Sequence, residues 1–145
     1  MVDPVRVHAR GHDNVTARHG SPLELTTDDW LTPAGDCILA VEADTAPAAF
    51  PDPFVEACRS ADATISVELR ADGHSHVVTA SGDERLGFDS ERSAVVRTSD
   101  YVDDRTVAVG ADAAAADLDR ELVAALADGA TLEATFRVEP EETAP

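Results

Sequence analysis

Cys37 lies close in sequence to Asp36, and His12, Asn14 and His19 precede it. A thiol served by an imidazole that a carboxylate orients is the make-up of a nucleophilic site. Cys37, Asp36, His12 and His19 are therefore the candidate catalytic residues of a small hydrolase-like or transferase-like enzyme. No nucleophile-elbow motif accompanies them. The plainer reading puts Cys37 in the core, Asp36 on a turn beside Gly35 and His12 at the close of a hairpin. A second set is metal-directed. His74 and His76 alternate, so on a strand both imidazoles share one face. With His12 they are candidate metal ligands, and His19, Asp13 and Asp83 are available to complete a shell, although the spacing fits no zinc template. Two exposed hairpin turns explain the same histidines more simply. A third set is Arg97, Ser99, Asp104 and Arg105, whose two guanidiniums suit a carboxylate or phosphate, or else satisfy neighbouring acids. Asp44 and Asp112 each follow an apolar strand at a place where ligands sit in open α/β sheets. Helix capping is the simpler account of that pair. Glycine-rich phosphate loops, Gly-x-Ser-x-Gly and paired CxxC motifs are absent from the sequence.

The elements that must position these residues follow from periodicity. Val5, Val7 and Ala9 alternate with Arg6, His8 and Arg10, which predicts a strand with one wet face. Gly11 to Asn14 has turn chemistry. Val15 to Arg18 and Leu23 to Leu25 read as the next strands, and Cys37 to Ala43 as a strand covered on both faces. Asp112 is placed to cap a helix over Ala113 to Ala127, on which Leu118, Leu122 and Leu126 with Val123 form one apolar face. Gly129 suits its left-handed stop. Pro47 and Pro51 interrupt the corresponding earlier segment, and Asp52 with Pro53 restarts a short helix over Pro53 to Ser60. Thr64 to Arg70 and Thr131 to Val138 alternate cleanly. Trp30, in a polar stretch, reads as a plug over one end of the sheet.

The chain also matches itself. Val5 to His12 aligns with Val67 to His74 at an offset of 62, Val15-Thr16-Ala17 with Val78-Thr79-Ala80 at 63, and Ala40 to Asp44 with Ala108 to Asp112 at 68. Leu23-Glu24-Leu25 aligns with Leu86-Gly87-Phe88 at the offset of 63. Matches at three offsets, in one order along the chain, predict an internal duplication. The expected fold is α+β: a mixed, strongly curved sheet with two helices and pseudo-two-fold symmetry, its strand–helix–strand passages right-handed crossovers between parallel strands. A single domain over 1–138 comprises repeats at about 4–62 and 66–129 and a closing strand at 131–138, followed by a flexible acidic tail at 139–145.

Composition sets the surroundings. The 145 residues carry 29 acidic and 11 basic side chains, for a net charge of -18, and every basic residue is arginine. Self-repulsion of that size opposes a compact state in dilute buffer, whereas molar salt shortens the screening length to about 3 Å. Acids dispersed along the chain, with no lysine, predict a protein of the haloarchaeal cytosol. They argue against nucleic acid, since no basic patch releases counterions. No apolar run approaches the ~20 residues of a membrane span and no signal segment is evident. Cys37 and Cys58 are expected as buried free thiols.

Arg10-Gly11-His12-Asp13-Asn14-Val15-Thr16-Ala17, Leu31-Thr32-Pro33-Ala34-Gly35-Asp36-Cys37-Ile38, and Asp104 through Asp112 with the alanines that follow resemble an archaeal family catalogued as domain of unknown function 371. The resemblance spans about residues 4–138. It implies no activity. The family pattern has a lysine after the Ala-Asp pair in both copies, where this chain has Thr45 and Ala113, and a second-copy Gly-His where it has Gly82-Asp83. The resemblance implies that a ligand held by those residues in relatives binds here weakly or not at all. The functional expectation is a small-ligand or metal-binding accessory module with its site between the repeats. The alternatives are the enzyme above and a homo-oligomeric structural component that pairs through a sheet edge. Cofactor identity is left open.

Overall fold

The computed structural model describes residues 2–17, 22–31 and 38–139. The alternating segments form the strands they predict. β1 (Val5–Arg10) buries Val5, Val7 and Ala9 and exposes Arg6, His8 and Arg10. β4 (Thr64–Ala71) buries Ile65, Val67 and Leu69, and β8 (Thr131–Glu139) buries Leu132, Ala134, Phe136 and Val138. β5 (His74–Ser81) returns from β4 through Asp72 and Gly73, both at positive φ (50° and 80°). That is the two-residue hairpin turn whose twist matches its strands, and Asp-Gly is its strongest sequence signal. These four strands form an antiparallel sheet in the order β1-β8-β4-β5.

A second sheet has the order β3-β2-β6-β7, built from β2 (Leu23–Thr26), β3 (Ile38–Ala40), β6 (Ser93–Val96) and β7 (Thr106–Ala108). Its central pair β2/β6 is antiparallel and its outer pairs are parallel. The expected single, strongly curved sheet is therefore two sheets, neither closed nor strongly curled. They touch at their margins through two isolated bridges, Arg10 with Val41 and Ser81 with Val109. The expected crossovers also differ. The chain from β3 through α1 (Asp52–Cys58) leads into β4 of the other sheet, and the chain from β7 through α2 (Arg120–Ala127) leads into β8. Each helix thus changes sheets, and the parallel pairs are β2/β3 and β6/β7.

Both helices are shorter than their apolar periodicity suggests. Asp112 does not cap a helix over Ala113–Ala127. A single 3₁₀ turn spans Ala115–Asp117, Leu118 is extended, and Asp119 caps α2 by accepting from the Glu121 N–H. Leu118, Leu122, Val123 and Leu126 are buried as expected, each burial worth roughly 1.5–3 kcal/mol. Gly129 (φ 88°) ends α2, with the Gly129 N–H donating to Leu126 and the Ala130 N–H to Ala125. α1 begins at Asp52, so Pro51 and not Asp52 stands at the cap position, and Asp52 lies in the first turn. Residues 15–17 form no strand; Val15 and Ala17 are buried there without one. Leu86 and Phe88 are likewise buried outside any strand.

One hydrophobic core joins both sheets and both helices. At its centre Phe50 stacks edge-on to Phe54 and Phe136 at 5.7 and 5.5 Å and meets Phe88 at 5.6 Å. Gly11 and Gly82 let the chain pass the helix ends. A Cβ on Gly11 would lie 1.9 Å from the Leu126 carbonyl oxygen, and one on Gly82 would lie 2.2 Å from that of Cys58. Cys58 is a buried free thiol whose pKa burial pushes up to about 12.

Asp44 and Asp112 close the edges of the first sheet. The Asp44 carboxylate accepts from the His8 N–H at 2.9 Å while its own N–H donates to the His8 carbonyl. Asp112 does the same at Thr79, with its carboxylate at 3.0 Å. An aspartate side chain thereby takes the place of a neighbouring strand's carbonyl on β1 and on β5. These strand groups are not offered to another chain, so edge pairing has no open ladder at these points. The offset-62 match, which sets β1 against β4, is also displaced. In position β1 corresponds to β5, both being outer strands bridged to the second sheet. Alternation is common to all half-buried strands, so it does not fix which strand matches which.

Candidate functional site

The site grows from the junction of β2 and β6. Glu24 lies between Leu23 and Leu25, which point into the core, so its side chain points to the other face of the second sheet. Across the ladder Thr26 pairs with Ser93 and Glu24 with Val95. The loop leaving β6 returns at Arg105, just before β7. Asp103 organises that loop. Its carboxylate accepts from Arg97 Nη2 at 3.0 Å, from Arg105 Nη2 at 3.1 Å and backbone N–H at 3.0 Å, and from the Thr106 hydroxyl at 2.9 Å. The same Thr106 Oγ1 accepts from Arg97 Nε at 2.9 Å, and the Arg97 guanidinium sits 4.7 Å over the Tyr101 ring. Partial burial alone raises the Asp103 pKa. The hydrogen bonds from Thr106 and Arg105 outweigh it and hold the carboxyl at about 2.

Arg105 extends from this cluster to within 3.8 Å of Glu24. On the other flank Arg92 donates from Nε to Asp28 at 2.8 Å. Between them lies a cleft of about 230 Å³ lined by Glu24, Thr26, Asp28, Trp30, Ile38, Arg92, Ser93 and Arg105. Trp30 is not a plug; it is 56% exposed and forms one wall. Thr26 and Ser93 are almost wholly buried in the floor. Thr26 Oγ1 accepts from the Asp28 N–H at 3.2 Å.

Of the anion set, Arg105 reaches this cleft and Arg97 supports it through Asp103. Ser99 closes a turn by accepting from the Tyr101 N–H at 3.3 Å, and the Asp104 carbonyl accepts from Ser90 N–H at 3.0 Å. The histidines are distributed along α2. His74 Nδ1 lies 3.4 Å from Glu121, and His76 Nδ1 accepts from the Asp119 N–H at 3.2 Å, both at the start of the helix. His12 lies beyond its other end, lining a cleft with Asp128 and Gly129, and its Nδ1 accepts from the Asn14 N–H at 3.0 Å. Among the described residues, no group of three or more His, Cys, Asp or Glu is placed to hold a metal ion. His19, Asp36 and Cys37 lie outside the described residues, and so does 140–145 of the expected tail. Sequence reading missed Asp103, Glu24 and Thr106. The signal for the first was present: an acid two residues before Arg105 is placed for the Asx turn it makes.

Residues 7–139 match the family described as domain of unknown function, DUF371. The chain belongs to DUF371. The uncharacterized protein MJ0206 of Methanocaldococcus jannaschii is 36% identical over 126 residues, covering 87% of this chain and 93% of that relative. The match takes in the second sheet, both helices, the first sheet from Val7 onward and the described residues that line the cleft. Among the described residues no helix is long and apolar enough to cross a membrane.

Proposed function

We propose that this DUF371 chain is a small-ligand-binding module whose site is the cleft between Trp30 and Arg105. The carrying observation is a set of polar groups from the first half (Glu24, Thr26, Asp28) and the second (Arg92, Ser93, Arg105) converging around one exposed tryptophan. Ligand sites combine a concave surface with a few fixed polar groups and an aromatic wall. A volume of about 230 Å³ falls below the ~300–1,000 Å³ usual for drug-sized ligands, so the ligand is small. Arg105 arrives already oriented by Asp103, which lowers the ordering cost of binding.

The same reading takes the two halves as copies of one ancestral unit. Its support is the matched placement of β1 with β5, of β2 with β6, and of Asp44 with Asp112. On that reading the cleft straddles the approximate axis where β2 meets β6. The working environment we propose is the salt-rich cytosol of a haloarchaeon, for which a net charge of -18 is an adaptation and not a partner signal.

Trp30 is the chain's one tryptophan, so its emission reports on the cleft directly. Titration with inorganic phosphate, small carboxylates and amino acids in molar KCl should shift Trp30 emission with at least one probe. The same probe should raise the melting temperature, as binding to the folded state requires. Arg105→Ala should remove both effects. A panel that moves neither readout in the unaltered protein would refute the cleft as a ligand site.

A further inference from the structure

Each outer strand of the first sheet turns some backbone groups away from its neighbour, and the antiparallel ladders fix which ones. Hydrogen-bonded and non-bonded pairs alternate along such a ladder. On β5 the outward N–H and C=O groups include those of Thr79, which Asp112 takes, and of Ser81, which Val109 takes. By the same alternation the outward groups nearer the turn are those of Ser75 and Val77. No backbone bond from another segment closes them among the described residues. On β1 the equivalent groups of His8 and Arg10 are closed by Asp44 and Val41. What remains open there is Arg6, a charged residue two places after Pro4, and charge and proline are the usual means of blunting an edge. The β5 edge carries neither. Its open-face side chains Ser75, Val77, Thr79 and Ser81 are all uncharged in a chain of net charge -18, and Val77 is 53% exposed.

We infer that this edge pairs with β5 of a second copy of the chain, antiparallel about a two-fold axis at His76. The open stretch lies between Gly73 of the turn and Thr79, and His76 is its midpoint. A two-fold there sets Ser75 of each copy opposite Val77 of the other, so that each such pair exchanges both N–H···O=C bonds. The same patch serves both copies, as a closed dimer requires, and the two four-stranded sheets become one. Asp112 ends the ladder at Thr79 and thereby fixes its register. The charges agree. On β4, Arg70 lies beside Ser75 and Glu68 beside Val77. The axis continues the row Arg70, Ser75 with Val77 and Glu68 of the second copy, so opposite charges flank the seam on the open face. On the other face α2 begins beside the axis, with the Asp119 N–H on His76 Nδ1 at 3.2 Å and Glu121 at 3.4 Å from His74. The acids of the two α2 starts repel one another, and molar salt, with its screening length of about 3 Å, removes most of that cost. A seam this short makes a weak, reversible dimer. It is independent of the cleft, which lies on the second sheet.

Sedimentation equilibrium of the whole chain in molar KCl, from about 10 μM to about 1 mM, should show a reversible monomer–dimer equilibrium. Val77→Lys places a charge on the seam and should weaken the dimer ten-fold or more, with a melting temperature close to that of the unaltered protein. Val77→Pro removes an N–H that the strand's own ladder does not use and should weaken it as much. Arg6→Ser, on the other outer strand, should leave it unchanged. In a Cys37→Ser background, His76→Cys should give a disulfide-linked dimer on oxidation, because the non-bonded pair at the axis sets the two Cα atoms about 4.5 Å apart, within disulfide reach. A chain that stays monomeric throughout overturns the inference. So does a dimer that survives Val77→Lys, one that Arg6→Ser abolishes, or one that His76→Cys fails to cross-link. Should Val77→Pro not fold, Val77→Lys decides, since that side chain points to solvent.

Discussion

Replacing Asp103 by Asn keeps the size of the side chain and an oxygen for Thr106, and removes only the charge. In the folded protein the carboxyl titrates at about 2, against 3.8 for a free aspartate. At ~1.4 kcal/mol per pKa unit that difference corresponds to roughly 2 kcal/mol, on a side chain 21% exposed and therefore only lightly screened by water. Because the folded pKa is the lower one, the stabilisation is complete above the unfolded value, at neutral and mildly acidic pH. It is lost as pH falls from about 4 through about 2. Other carboxylates titrate in the same range, and their protonation relieves the self-repulsion of a chain at -18, so the pH profile of one protein is uninformative. The difference between the unaltered protein and Asp103→Asn isolates the one group. Urea unfolding of both in constant molar KCl, from pH 7 down to 2, should give a difference of about 2 kcal/mol at pH 7 that shrinks towards zero near pH 2. A difference below ~0.5 kcal/mol at neutral pH, or one that does not change with pH, would refute the assignment of Asp103 as the organiser of Arg97, Arg105 and Thr106.

Gly82→Ala should cost about 3 kcal/mol or more, as core overpacking does at its upper range, because the new methyl meets the Cys58 and Ser60 carbonyl oxygens at 2.2 and 2.5 Å. Gly73→Ala meets open space and pays only for its positive φ, about 1 kcal/mol; denaturant unfolding that reverses this order contradicts the packing. In a Cys37→Ser background the remaining thiol, Cys58, should resist alkylation at pH 8 until the protein unfolds, since its pKa lies at about 12. Rapid modification of the folded protein would contradict its burial. The melting temperature should fall as KCl is diluted from molar to millimolar concentrations, because unscreened repulsion among the 29 acids opposes the compact state. A constant melting temperature would remove the salt argument.

Alternation along Val5–Arg10, 64–70 and 131–138 names three strands to within one residue at their ends, together with the side chains they bury. The leucine spacing on α2 likewise named its buried face. Asp72-Gly73 carries the hairpin signal as well, and the plainer account of His74, an exposed hairpin turn, matches the β4–β5 turn that the structure shows. Helix limits were less legible, because the alanines before Leu118 suit a helix as well as they suit the extended link and 3₁₀ turn they form. The polar residues that mattered least in the sequence matter most in the site. Glu24, between two core leucines, looked like ordinary strand alternation, and Asp103 like one acid among many.

The amino-acid sequence alone settled the charge, the half-buried strands and the apolar face of α2, because these depend on composition and on near-neighbour periods of two or about four residues. Only the tertiary structure decided that each helix carries the chain from one sheet to the other. It also turned Asp44 and Asp112 into edge partners of β1 and β5, and brought Trp30, Arg92 and Arg105 around one cleft. The reason is range. Residue 30 meets residue 105 only after β2 has paired with β6, and no local period encodes which strand pairs with which.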